Sequence, residues 1–349
     1  MAVAMLHAES FVIGDLEYVI RKSYENDTVF YASVKSYKGD RSSLTSLTIP
    51  DEVEYNGKYY PVWDIDQAFT KCTSLTEITF GRNVRYVHCY AFRGSAPVKR
   101  IVWMPQKAVE EIEIVTGAPT IRSTEKNATG FWTLGDMDLS QLEELVVADG
   151  VEDIGYPFIG GAPITSLHLP ASLTSLYPTS FEYCSRLSTI TVDPANPVYD
   201  SRYGCNAVID SKTNELVMAC PATRLPESVT GIGPCAYCTC PGIKSVVIPS
   251  GVTKIGTYAF SNCGQLEEMH MRVAYPNKIT LERAALNFNV GNCTLYVPVG
   301  TRSRYLVYPW KNFKAVVEED FFQGPEDVNG DGRVDIDDVN AVVNAVLAK

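Results

Sequence analysis

The residues of this 349-residue chain best suited to chemistry lie near its C-terminal end, in Asp327-Val-Asn-Gly-Asp-Gly-Arg-Val-Asp-Ile-Asp-Asp338. Asp327, Asn329 and Asp331 alternate along the run, Gly332 permits a sharp turn, Arg333 offers its carbonyl, and Asp335 and Asp338 complete the set. Ca2+ is a hard cation that takes about six to eight oxygen ligands, and a loop with this spacing supplies them. We therefore expect Ca2+ to be the one cofactor, held by Asp327, Asn329, Asp331, Arg333, Asp335 and Asp338. The segment that follows reads as a helix with Val339, Val342, Val343, Val346 and Leu347 on one face.

Sulfur and imidazole give weaker signals. Cys235-x-x-Cys238-x-Cys240 has the spacing of a zinc or redox site, but no fourth ligand and no histidine is near it in sequence. The histidines, His7, His88, His168 and His270, are scattered. No G-x-S-x-G, H-E-x-x-H, phosphate-loop or dinucleotide-loop run is present, and acid pairs such as Glu143-Glu144 and Glu267-Glu268 suit a solvated edge. No catalytic residue is assigned, and the chain reads as a non-enzyme.

What positions these groups is a repeat. The run Ser74-Leu-Thr-Glu-Ile-Thr-Phe80 carries apolar residues at Leu75, Ile78 and Phe80, and the same spacing recurs at Leu44, Leu47, Ile49; Val98, Ile101, Trp103; Leu142, Leu145, Val147; Ile164, Leu167, Leu169; Leu187, Ile190, Val192; Ile243, Val246, Ile248; and Leu266, Met269, Met271. Each copy alternates as a half-buried strand does. A small-plus-aromatic pair with a following cysteine or substitute makes the second half: Ala68-Phe-Thr-Lys-Cys72, Ala91-Phe-Arg-Gly-Ser95, Ser180-Phe-Glu-Tyr-Cys184, Ala236-Tyr-Cys-Thr-Cys240 and Ala259-Phe-Ser-Asn-Cys263, with Pro157-Phe158 as a degenerate copy. These pairs begin at 68 and 91, 157 and 180, and 236 and 259, so the period is 23 residues. That period falls in the range of leucine-rich repeats. The register also assigns Cys72, Cys184, Cys240 and Cys263 to buried packing, which leaves only Cys235 and Cys238 of that cluster to be explained.

A repeat unit alone leaves its apolar side wet, whereas stacked units bury a continuous core and share hydrogen bonds between parallel strands. The expected fold class is thus α/β: a leucine-rich repeat solenoid with parallel strands and short helices or turns, a β-rich N-terminal cap, and a small C-terminal EF-hand-like helical tail. Residues 9–43 supply the cap, in short β-branched and aromatic runs. The solenoid spans 44–317, interrupted at 104–141 and 193–225; 318–326 is a linker and 327–349 the calcium tail. Ser303–Trp310 and Phe313–Val317 read as a C-terminal cap. Within 193–225, Cys205–Asp210 and Glu215–Cys220 read as a hairpin, and the register that faces Asp210 to Glu215 also faces Cys205 to Cys220, a cross-strand disulfide pairing. Met1–Ala8 is apolar and small-residue-rich, as the end of a secretory signal peptide would be.

Charge excludes some partners. The net charge is −11, but residues 318–338 hold nine acids against Arg333 alone, so the remainder carries about −3 and is not basic enough for nucleic acid. No run approaches the length of a transmembrane helix.

In Ser46-Leu-Thr-Ile-Pro50, Ala68–Cys72, Ser166-Leu-His-Leu-Pro170 and Gly251-Val-Thr-Lys-Ile-Gly-Thr-Tyr-Ala-Phe260, the chain resembles the bacterial surface leucine-rich repeat proteins of the BspA type. The resemblance covers about residues 9–317. It implies a secreted or cell-surface, non-catalytic binding or adhesion protein recognising a host or bacterial surface protein or glycan. Residues 327–348 resemble half of a dockerin, the calcium module that docks on cohesin domains, which implies a cohesin-like partner. Only one loop is present, and Ile336 and Asp337 stand where many dockerins have Ser-Thr.

If the strand face binds, the repeat register says what it shows. One column is Thr48, Thr79, Val102, Val146, His168, Thr191, Val247 and His270; its neighbour is Ser46, Glu77, Arg100, Glu144, Ser166, Thr189, Ser245 and Glu268. Of these, Glu77, Thr79, Arg100, Val102, Glu144, His168, Thr191, Glu268 and His270 are the candidate binding residues. Two other readings stand beside binding: a carbohydrate-active or peptidase accessory enzyme with its site in the 104–141 insertion, and a structural spacer that projects the tail.

Overall fold

The computed structural model describes residues 10–23, 28–105, 110–115, 118–121, 137–155, 159–238 and 240–321. The signal-like Met1–Ala8, the Pro157-Phe158 pair, most of the 104–141 stretch and the whole calcium tail lie outside the described residues.

The repeat register is the register of the strands. Ser46–Thr48, Glu77–Phe80, Arg100–Trp103 and Glu144–Val147 form one parallel sheet; Ser166–Leu169 pairs with Thr189–Val192; and Ser245–Ile248, Glu268–Met271, Thr294–Pro298 and Ala315–Glu319 form a third parallel set. Equivalent positions lie side by side, as in Leu47↔Ile78 and Ile78↔Ile101. Every apolar residue of the eight triads is buried except Leu44, which is half-buried in the first coil.

Each coil has a second short strand that the sequence reading did not anticipate. Tyr86–His88, Asp153–Ile154, Ser175–Leu176, Gly231–Ile232, Lys254–Ile255 and Thr280–Leu281 stack in parallel rows across the core from the first set. Glu110–Val115 belongs to this row, pairing in parallel with Tyr86–His88 before turning into Ala118–Ile121. Residues 110–115 of the first interruption therefore continue the second row of strands.

Of the short helices or turns expected in the repeats, the described coils have turns. The α-helix found among the described residues is the four-residue Arg302–Tyr305, so the architecture is mostly β and not α/β. The cause is backbone conformation at the residue before the cysteine position: Lys71, Gly94, Gly161, Tyr183 and Asn262 all have φ between 60° and 72°. A left-handed residue ends a helical turn. Two strands in a coil of this length leave no room for another turn.

The cysteine position has a polar role as well as a packing one. Cys184 Sγ donates to the Ile159 carbonyl at 3.2 Å and Cys263 Sγ to the Tyr237 carbonyl at 3.5 Å. Where serine replaces cysteine, Ser95 Oγ donates to the Phe69 carbonyl at 2.7 Å. In each case a small donor satisfies the backbone of the preceding coil. The same alignment sets one register: Ile159 N–H donates to Ser180 O as Phe69 N–H does to Ala91 O, so buried Ile159 holds the aromatic place. The step from Ile159 to Phe181 is thus one residue short of the 23-residue period.

Both ends are capped. Ser10–Ile13, Leu16–Lys22 and Phe30–Tyr37 form an antiparallel meander whose last strand pairs in parallel with Lys58–Ile65. Glu52–Tyr55 and Lys58–Ile65 make a further hairpin inside the first coil, closed by Asn56 and Gly57 at φ 53° and 73°. An Asn-Gly pair favours this two-residue turn because both central residues need positive φ. At the other end Tyr305, Trp310 and Phe313 pack together over the last coil, and the final strand runs to Glu319, into the stretch assigned to the linker.

The second interruption is a hairpin, Ala207–Asp210 with Glu215–Ala219, and it continues the second row of strands through Glu215↔Gly231 and Leu216↔Ile232. Its two faces serve different cores. Val208 and Met218 pack with the N-terminal coils, while Ala207, Ile209, Leu216 and Ala219 pack with the C-terminal ones. Cys205 and Cys220 are not a disulfide. A bulge between Val208 and Ile209 changes the pairing from Ile209↔Leu216 to Val208↔Met218, which shifts one cysteine past the other. Both are free thiols, with Cys220 Sγ donating to the Asn206 carbonyl at 3.3 Å.

Two predictions follow from coil spacing and thiol burial. A Cβ on Gly256 would lie 2.6 Å from Pro234 N and 2.7 Å from Gly233 C, both backbone of the preceding coil. Gly256→Ala is expected to lower stability by about 1–3 kcal/mol in denaturant unfolding. Burial also pushes the thiols of Cys184, Cys263 and Cys293 from 9.0 up to about 12. A thiol whose pKa is raised by folding contributes stability that is complete below its unfolded pKa and is lost as pH rises through the folded value. Thermal midpoints should therefore hold steady up to about pH 8.5 and fall progressively above it.

Candidate binding face

The outward residues of the first-row strands form one continuous ladder in each sheet. Glu77, Arg100 and Glu144 are adjacent, as are Thr79, Val102 and Val146; Ser166 and His168 lie beside Thr189 and Thr191. Farther on, Val247, His270, Tyr296 and Val317 form one row and Ser245, Glu268, Thr294 and Ala315 the next. The nine candidate residues are therefore on one side of their strands, exposed or half-buried.

The N-terminal and middle parts of this face are chemically quiet. Arg100 Nε donates to Glu144 Oε2 at 2.8 Å across neighbouring strands. Such an exposed pair is worth less than about 1 kcal/mol. His168 Nδ1 lies 3.0 Å from Thr191 Oγ1 in an exposed setting. Glu77 is exposed and Thr79 and Val102 half-buried, and they bring only small or singly charged groups.

The C-terminal coils differ. His270 is stacked on Tyr296 with ring centroids 4.6 Å apart and an interplanar angle of 7°. Its Nδ1 lies 2.6 Å from Glu319 Oε2, and its Nε2 lies 3.5 Å from Glu268 Oε2. Phe321 meets the His270 ring edge-on at 6.3 Å, and the Arg272 guanidinium stands 5.8 Å above the Phe321 ring while its Nη1 donates to Glu227 Oε1 at 2.6 Å. Val247 and Val317 flank the row as exposed apolar residues. The result is a surface with aromatic faces, three carboxylates and a guanidinium, set on neighbouring strands and the turns beside them, which suits stacking and bidentate polar recognition.

Sequence reasoning placed His270 and Glu268 here but missed Tyr296, Glu319, Phe321, Arg272 and Glu227. Leu295 and Val297 do repeat the second and third apolar positions of the triad, so Tyr296 falls in the His270 column by the same arithmetic. Asn292 at the first apolar position hid that coil. Glu319 was hidden by its assignment to the linker.

No group of three or more His, Cys, Asp or Glu residues that could hold a metal ion occurs among the described residues. His88 is buried in the second row, where its Nδ1 accepts from the Tyr90 N–H at 3.1 Å. The residues of the calcium loop lie outside the described part of the chain. Among the described residues no helix is long and apolar enough to cross a membrane.

Stacked coils with two rows of parallel strands and an alternating face define a leucine-rich repeat solenoid. The chain belongs to the BspA type leucine rich repeat family, whose pattern matches six copies over residues 31–114, 137–203 and 217–287. The Tyr296 coil lies beyond that match. Similar solved structures include a leucine rich cell surface protein from Faecalibacterium prausnitzii, with 17% identity, 94% of this chain and 98% of that one covered, and a TM-score of 0.37. A leucine-rich repeat protein from Bacteroides ovatus has 17% identity, coverage of 88% and 76%, and a TM-score of 0.44. The pneumococcal vaccine antigen PcpA has 11% identity, coverage of 90% and 99%, and a TM-score of 0.44. No curated protein matches the chain.

The two outward histidines should behave differently. His270→Ala removes an aromatic stack and the hydrogen bond to Glu319 and is expected to cost about 1–2 kcal/mol. His168→Ala should change stability by no more than about 0.5 kcal/mol. Equilibrium unfolding of both variants in parallel checks the difference.

Proposed function

We propose that this is a non-catalytic binding protein, secreted or displayed at a cell surface, that recognises a protein or glycan through the strand face of its C-terminal coils. The observation that carries the reading is the His270–Tyr296–Phe321 group with Glu268, Glu319 and Arg272. It is the one part of the candidate face where aromatic and charged side chains converge on neighbouring strands. Tyrosine and arginine supply large contact areas and directional polar contacts at little conformational cost, which is why they concentrate in recognition surfaces. The remaining candidate positions, Glu77, Thr79, Arg100, Val102, Glu144, His168 and Thr191, extend the same face and would contact only a long ligand. Membership of the BspA type family supports the surface placement, as the resemblance in the repeats implies.

The tail has a separate role in this proposal. Asp327, Asn329, Asp331, Arg333, Asp335 and Asp338 bind Ca2+, and the ordered tail attaches the solenoid to a cohesin-like or other partner through its valine face. The carrier of that claim is the coincidence of six ligand positions with Gly332 at the turn.

One experiment separates the two roles. A glycan and surface-protein array is probed with the full chain in the presence and absence of millimolar calcium, together with the double variant His270→Ala/Tyr296→Ala. Calcium-independent binding lost in the double variant is the expected result for the face. Calcium-dependent binding that the double variant retains is the expected result for the tail. Hits that are indifferent to both changes would contradict the proposal.

A further inference from the structure

The repeat register explains Cys72, Cys184, Cys240 and Cys263 but neither Cys235 nor Cys238. Cys240 is buried at the repeat position shared with Cys184 and Cys263, but Cys235 precedes the repeat alanine, Ala236, and Cys238 follows the repeat aromatic, Tyr237. Neither of these two is needed for the carbonyl-satisfying pattern described above.

Their geometry brings them together. Cys235 has φ 54°, the left-handed region that costs a side-chain-bearing residue about 1–2 kcal/mol. Its backbone is pinned there by a hydrogen bond from its N–H to the Thr257 carbonyl at 3.0 Å. Its own carbonyl accepts the Cys238 N–H at 2.9 Å, which closes a four-residue turn. Such a turn holds its end Cα atoms within about 7 Å. A disulfide needs a Cα separation of about 4.4–6.8 Å, so the backbone already sits near the span of a closed ring.

The two sulfurs are unequal. Cys235 is half-exposed at the surface, whereas Cys238 is buried and its Sγ lies 3.4 Å from the Tyr258 carbonyl. The side-chain interaction between the two thiols holds Cys235 below the ordinary thiol range and pushes Cys238 up. Burial instead pushes up Cys72, Cys184, Cys205, Cys220, Cys263 and Cys293. Burial, and then the carboxylate of Glu182, held by Asn262 Nδ2 at 2.8 Å, oppose ionisation of Cys235. An accessible sulfur with a second, buried thiol one turn away is the arrangement for attack and resolution.

We propose that Cys235 and Cys238 form a thiol–disulfide exchange site that reacts with low-molecular-weight dialkyl disulfides, Cys235 attacking and Cys238 resolving. In the first step the Cys235 thiolate attacks one sulfur of RSSR, forming a Cys235–SR mixed disulfide and releasing RS−. In the second, Cys238 loses its proton to the medium or to that RS− and attacks Cys235 Sγ, forming the Cys235–Cys238 bond and releasing a second RS−, which takes up a proton. The net change is two protein thiols oxidised to one disulfide and one external disulfide reduced to two thiols. No other oxidant is required.

The test uses the full-length reduced chain and hydroxyethyl disulfide as the probe, with peptide mass mapping over time. The expected product is a Cys235–Cys238 crosslink that forms at least about tenfold faster than any adduct at Cys184 or Cys263. Cys238→Ser should stop at a stable hydroxyethyl adduct on Cys235, and Cys235→Ser should leave Cys238 unreacted over the same period. Circular dichroism of both variants establishes that they are folded. Because a substitution at Cys238 can perturb the coil, the wild-type time course is decisive without it. Adducts spread evenly over the ten cysteines of the chain, first reaction at Cys238, or a mixed disulfide on Cys235 that never resolves in the wild-type chain would each overturn the proposal.

Discussion

The structure depends on the stacking of one coil's apolar triad against the next. A single triad such as Leu75, Ile78 and Phe80 has nothing to bury against within its own coil. Stacked in register on Leu47 and Ile49 on one side and Ile101 and Trp103 on the other, it is fully covered. The gain is hydrophobic and scales with covered area, and it accrues at each interface between coils. Backbone polar groups impose the matching constraint. Carbonyls that point between coils need donors, and small donors from the cysteine position provide them without holding the coils apart.

This constraint explains how the solenoid tolerates interruption. An insertion that looped away between coils would leave two triads uncovered. The hairpin at Ala207–Asp210 and Glu215–Ala219 instead lies between the coils as a layer buried on both faces, with alternate residues facing opposite cores. Continuous apolar runs such as Ala207-Val-Ile are what a strand buried on both faces requires. Asn196 fastens the start of the insertion by donating to the Pro170 and Leu173 carbonyls at 2.8 and 2.9 Å while accepting the Val198 and Tyr199 amides. Stacking of the triads also leaves most of the outward face without a packing duty, which is why recognition can be placed there.

Much of this was legible in the sequence because strand alternation and a fixed period are strong signals. The triads, their parallel register and the columns of the face follow from counting, and so does the inward place of Cys184 and Cys263. The choice between short helices and turns stayed open because left-handed backbone at Lys71 and Tyr183 carries no marker in residue type; Gly94, Gly161 and Asn262 at the equivalent position do carry one. The second row of strands is only two or three residues long in most coils, too short for a periodic pattern to register. The Asn56-Gly57 hairpin was readable and overlooked, since its turn chemistry is explicit. A bulge has no such signature, and it alone separates Cys205 from Cys220. On the face, the aromatic cluster escaped because the Tyr296 coil replaces its first apolar residue with Asn292, and because Glu319 and Phe321 act from the end of the solenoid.

The central claim is that the two cores are joined through the hairpin they share, so that coil stacking is continuous from the first strand of the solenoid to Glu319. Native-state amide hydrogen exchange tests it most directly, because exchange reports the free energy of opening segment by segment. The account predicts that the amides of Val208, Ile209, Leu216 and Met218 are as slowly exchanging as those of Ile78 and Met269, opening only with the global unfolding of both halves. Exchange of the hairpin amides at the rate of a surface loop, with the two halves opening independently, would contradict it.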